Sequence, residues 1–124
     1  MYNKKLLIEV IEQILNAITK IEKRFDDISL PDDFLDSDNG MNMLDAICMQ
    51  LIAIGESVKN IDKISDKKLL IKYPEVDWKG IMGVRDIISH HYFDIDAEVI
   101  FNICDEKLGV LSNVLNKMLS NIKK

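Results

Sequence analysis

"LIEVIEQILNAITKIEKRF", residues 7–25, sets its apolar side chains at Leu7, Ile11, Ile14, Ile18, Ile21 and Phe25. A 4-3-4-3-4 spacing is one stripe along an α-helix; a half-buried strand would alternate every second residue instead. Glu9, Glu12, Gln13, Lys20 and Lys23 fall on the opposite face. The stretch therefore predicts an amphipathic helix over about residues 3–27, which must bury its stripe against other elements.

The rest of the chain supplies helices for that purpose. A polar break, "DDISLPDDFLDSDNG", carries Pro31, Gly40 and the candidate caps Ser37, Asp38 and Asn39. A second helix is predicted over about residues 41–61, with Leu44, Cys48, Leu51, Gly55 and Val58 on one stripe and Ile47, Ile52 and Ile54 widening it. Gly55 costs about 1 kcal/mol against Ala in mid-helix, and such a residue commonly admits close approach by a neighbour. Ser65 can cap a short helix over residues 66–73, ended by Pro74. Asp77 can cap another, from Trp78 to about Ser89 or Tyr92, with Gly80 and Gly83 thinning one side. "FDID" reads as a turn, and Asp96 as the cap of a last long helix over about residues 97–122.

No stretch alternates long enough to suggest a sheet. Three long and two short helices predict an all-α fold, an up-and-down helical bundle in one domain, 1–124. The apolar faces of the first and last helices are broad for so small a bundle, which predicts a homodimer.

Composition narrows the functional classes. At 124 residues, with 48% hydrophobic and 30% charged residues, the chain can bury a core without disulfide or metal. Its apolar runs are short and interrupted, so no membrane span is expected. Lys4 and Lys5 are followed by Glu9 and Glu12 with no cleavage signal, which predicts a cytosolic protein. Cys48 and Cys104 stand apart, without metal-ligand spacing, and read as reduced core thiols; no metal or other cofactor is expected. Asp plus Glu outnumber Lys plus Arg by 21 to 16, a formal charge of −5. Nucleic-acid binding would then need a local basic patch.

The concentration of chemistry is "VRDIISHHYF", residues 84–93, which holds both histidines of the chain. On a helix, Asp86 and His90 are four apart and can touch, while Arg85 and Tyr92, seven apart, fall on nearly the same face. Asp86 could orient the His90 imidazole and raise its basicity, leaving the other ring nitrogen for proton transfer. The planar Arg85 fork suits a phosphate. Arginine, histidine and a hydroxyl suffice for RNA cleavage without a metal. A plainer reading fits the same spacing: histidines facing the open carbonyls of a helix end, and Arg85 paired with an acid on a neighbouring helix. Adjacent His90 and His91 point about 100° apart, which disfavours a shared metal ion.

The wider context decides between these readings. Arg85-Asp86-x-x-x-His90-x-Tyr92 resembles the RxxxxHxY signature of the HEPN superfamily, specifically the HepT-like toxins. "LIAIGESVKNI", residues 51–61, is similar to the family's second-helix region, and "YPEVDWKGIMGVRDIISHHYFDID", residues 73–96, to the stretch around its motif. The likeness runs from about residue 33 to residue 119. Two positions depart from the pattern: Asp86 stands where Asn is common, and His91 where a small residue is frequent.

The resemblance implies a helical homodimer with two motifs facing one cleft. It implies a toxin with metal-independent ribonuclease activity on RNA, paired with a minimal nucleotidyltransferase antitoxin. Arg85 would bind phosphate, His90 would act as acid and base, and Asp86 would orient it. Tyr92 would accept AMP from the antitoxin. Glu56, in the matching second-helix segment, is a possible supporting group, or else a surface carboxylate paired with Lys59 or Asn60; His91 is a second possible supporting group, able to substitute in part for His90. A second implied reading is a non-catalytic homodimer, a nucleotide- or partner-binding module controlled at Tyr92.

Overall fold

In the computed structural model, which describes residues 3–90 and 93–124, the chain is helical with no strand among the described residues. The elements are α1 (Lys4–Phe25), α2 (Asp38–Ile64), α3 (Trp78–Met82), α4 (Val84–His90), α5 (Ala97–Asn102) and α6 (Leu108–Lys123). Single 3₁₀ turns lie at Pro31–Phe34 and Leu70–Lys72.

The predicted stripe of α1 is its buried face: Leu7, Ile11, Ile14, Ile18 and Ile21 are buried, with Val10 beside them. It packs chiefly on α2, whose Leu44, Ile47, Leu51, Ile54, Val58 and Ile61 are buried, and on α6 through Leu111, Leu115 and Met118. Phe34, fully buried, fills the end of this core next to Phe25, and Phe25 also meets Phe101. The caps sit where the sequence placed them. Ser37 accepts from the Gly40 N–H, Asp77 from that of Gly80, and Asp96 from those of Glu98 and Val99.

Four expectations change. The helix expected over residues 66–73 does not form. Ser65 ends α2 instead, and Asp66 and Lys67 take left-handed backbone angles, φ 55° and 60°. The Lys67 N–H returns to the Asp62 carbonyl at 2.8 Å and the Ser65 N–H to that of Ile61, so the chain reverses by satisfying the carbonyls of α2's last turn. Ser65 Oγ still accepts from the Leu69 N–H, but only one 3₁₀ turn follows.

The helix expected from Trp78 onward is divided at Gly83, whose N–H bonds back to the Lys79 and Ile81 carbonyls, ending α3 before α4 begins at Val84. The last helix is interrupted as well. A π turn at Ile103–Lys107 lies between α5 and α6, its bond running from the Leu108 N–H to the Ile103 carbonyl, five residues back.

Finally, α2 is long and apolar enough, by length and composition, to cross a membrane. Most of its aliphatic side chains are used in the core, while Met41 and Met49 are exposed and its outer face carries Asp45, Glu56, Lys59 and Lys63.

Candidate functional site

The site begins with a close approach of helices. A Cβ on Gly55 would lie 2.7 Å from the Ile81 carbonyl oxygen and 3.1 Å from Val84 Cγ1. The missing side chain lets the α3–α4 junction sit directly on α2. Val84 and Ile88, one turn apart, turn inward and bury the inner face of α4. Arg85, Asp86 and His90 are thereby left exposed. Trp78 Nε1–H donates to the Tyr73 carbonyl at 2.8 Å, and Tyr73 OH accepts from Asn121 Nδ2–H at 2.9 Å. Together with the Lys117–Glu75 ion pair, 3.2 Å, these contacts fasten the segment before α3 to α6.

Residue 56 follows the glycine, and its carboxylate reaches α4. Arg85 Nη1 donates to Glu56 Oε1 at 2.9 Å, and Lys59 Nζ lies 3.1 Å from Glu56 Oε2. One carboxylate thus bridges two cations, each through its own oxygen. Lys59 first, then Arg85, hold the Glu56 carboxyl below its ordinary range. The pairing of Arg85 with an acid on a neighbouring helix, and that of Glu56 with Lys59, are both realised; Asn60 is not a partner of Glu56. The Arg85 side chain remains 60% exposed.

His90 closes α4, one turn beyond Asp86. Among the described residues these two form no hydrogen bond with each other. Arg85 and His90 are five positions apart, which turns them about 140° apart around the axis of α4. His91 and Tyr92 lie outside the described residues. Cys48 is buried and Cys104 half-buried against the core: burial pushes the Cys48 thiol up to about 11 and that of Cys104 to about 12. Neither is a thiolate at neutral pH.

Comparison with known proteins places this arrangement in a family. Residues 14–118 match the model of the family described as "Ribonuclease HepT-like". The chain is 38% identical over 78 residues to "Putative RNase MJ0127" of Methanocaldococcus jannaschii, a match covering 63% of this chain and 53% of that protein. It is 30% identical over 110 residues to "Probable ribonuclease HepT" of Thermococcus cleftensis, covering 89% of this chain and 93% of the relative. The matched segment thus spans about half the length of the first relative and nearly all of the second. No solved structure matches the chain. The chain belongs to the HepT-like ribonuclease family.

Sequence reasoning brought Arg85, Asp86 and His90 to one helix and named Glu56 beside them. It did not join Glu56 to Arg85, a contact between residues 29 positions apart. The one available signal was Gly55 next to Glu56, marking where another element comes close.

Proposed function

We propose that this chain is a metal-independent endoribonuclease, the toxin of a toxin–antitoxin pair, acting as a cytoplasmic homodimer. The observation that carries the reading is the Arg85 guanidinium, fixed by Glu56 at one end of α4 whose other end presents His90. Arg85 would bind the scissile phosphate through its free N–H groups and stabilise the charge that builds on phosphorus. His90 would take the proton of the ribose 2′-hydroxyl, whose oxygen attacks the adjacent phosphorus. The bond from phosphorus to the 5′-oxygen breaks, and that oxygen receives a proton from an imidazolium. Asp86, one turn before His90, is placed to accept from the ring N–H that does not face the substrate.

The angular separation of Arg85 and His90 supports the homodimer. Groups about 140° apart on one helix converge poorly on one phosphate, whereas two facing copies can each lend one. Apolar surface suited to self-association lies beside the motif. A groove of about 690 Å³ between α2, α4 and α6 is lined by Leu51, Ile54, Val84, Ile87 and Leu111, with Ile87 exposed.

The partner is a minimal nucleotidyltransferase antitoxin. The Tyr92 hydroxyl would attack the α-phosphorus of ATP, pyrophosphate would leave, and the resulting AMP would cover Arg85 and His90 with bulk and negative charge. Tyr92 carries this role through the motif resemblance.

The second reading, a non-catalytic module controlled at Tyr92, is favoured by the net charge of −5. Expression of the wild type and of His90→Ala/His91→Ala in cells separates the two. The ribonuclease reading expects growth arrest with RNA fragmentation from the wild type and neither from the variant; equal arrest from both overturns it. Co-expression with the nucleotidyltransferase should add AMP mass that Tyr92→Phe abolishes.

A further inference from the structure

Arg85 is one end of a longer run of charge. Glu56 joins it to Lys59, and Lys63 follows one turn later on α2. Lys59 and Lys63 share a face, about 6 Å apart along the axis. Lys67 lies past the helix end. The left-handed reversal at Asp66 and Lys67 brings the chain back over the last turn of α2.

As a result Lys59, Lys63 and Lys67 line one depression of about 310 Å³, with Asp62, Asp66 and Met82 as its other walls. Met82 precedes Arg85 by three residues, and Lys59 belongs both to the depression and to the Glu56 bridge. The hollow therefore adjoins the Arg85–Glu56 pair through Lys59. Lys63 and Lys67 make no ion pair with a described residue, and Asp66 is engaged by Lys68 at 3.9 Å.

We propose that Lys59, Lys63 and Lys67 form a subsite for the backbone phosphates of single-stranded RNA, flanking the phosphate held at Arg85. The assignment rests on the ribonuclease reading. A chain of net charge −5 repels a polyanion overall, so binding requires a local excess of positive charge; here three lysines outnumber the two carboxylates, Asp62 and Asp66, beside the motif. Lysines at a helix C-terminus also offset the helix dipole, but that function does not require three of them around one hollow. No aromatic residue lines the depression among the described residues, which suits backbone better than bases.

The test uses the His90→Ala protein, in which RNA should stay intact, and fluorescence anisotropy of a labelled single-stranded RNA across a salt series. Adding Lys63→Gln and Lys67→Gln should weaken binding on the order of tenfold and make the slope of log affinity against log salt shallower by about 1.4. Lys20→Gln/Lys23→Gln, on the outer face of α1, should leave that slope unchanged. Melting curves check that each variant is folded. An unchanged slope in the Lys63/Lys67 variant, or equal losses in both lysine pairs, overturns the subsite while the ribonuclease reading stands. No RNA binding by the His90→Ala protein, together with no cleavage by the wild type, overturns both.

Discussion

Arg85 Nη1 lies 2.9 Å from Glu56 Oε1, which ties the start of α4 to the middle of α2 through two half-exposed side chains. Exposed pairs of this kind add little to stability. The worth of the contact lies in where it holds the guanidinium. Glu56→Gln keeps the shape of the side chain and removes its charge. The local potential then becomes more positive while Arg85 loses its fixed orientation. RNA should bind somewhat more tightly and be cleaved several-fold more slowly. Anisotropy and cleavage assays read the two effects separately, and a parallel loss of both would mean that Glu56 serves the fold alone.

The Glu56 bridge also has a defined pH window. Its carboxyl is held low, chiefly by Lys59 and then by Arg85. A depressed carboxyl pKa makes the pairing complete above the ordinary carboxylate value, and the pairing is lost as pH falls through the depressed one. Carbon-detected NMR titration should show Glu56 titrating below the ordinary glutamate value. Lys59→Ala should move it up further than Arg85→Ala does.

Gly55→Ala tests the helix contact beneath the site. The new methyl would meet the Ile81 carbonyl, a backbone atom that cannot turn aside. Overpacking costs about 1–3 kcal/mol, of which the better helix propensity of alanine returns about 1 kcal/mol. Denaturant unfolding should show a net loss of stability. Cleavage should fall further than stability alone explains, since α4 must move away from Glu56.

The thiols predict an alkaline limit. With folded values near 11 for Cys48 and 12 for Cys104 against an ordinary 9.0, ionisation favours the unfolded chain. The stability they contribute is complete below pH 9 and is lost as pH rises toward 11 to 12. Alkylation of Cys48 at pH 8 should be slow in the folded protein and fast in urea. Serine at both positions should flatten the alkaline loss.

Much of this molecule is legible because α1 and α2 obey one period. Leu7 to Ile21 name the buried face directly, and Ser37, Asp77 and Asp96 mark helix starts by their own side-chain chemistry. Endings were harder. Nothing in "KISDKK" shows that Asp66 and Lys67 turn left-handed, because the carbonyls they satisfy belong to residues already counted in α2. Gly83 was visible as a thinning of the helix, and its effect as a break depends on the Gly55 contact that presses the junction onto α2. For the candidate site, local spacing put Arg85 and His90 on one helix, and the resemblance across residues 73–96 singled them out. The link from Arg85 to Glu56 and the gathering of Lys59, Lys63 and Lys67 depend on how distant segments pack.

The most direct test of the ribonuclease reading is cleavage of a defined RNA by purified protein in excess EDTA, comparing the wild type with Arg85→Ala and His90→Ala, the latter also carrying His91→Ala. The wild type should cleave, and each variant should fall by about 100-fold or more, as expected for loss of a phosphate-binding cation or an acid–base group. Wild-type cleavage that disappears in EDTA, or variants that cut as fast as the wild type, would contradict it.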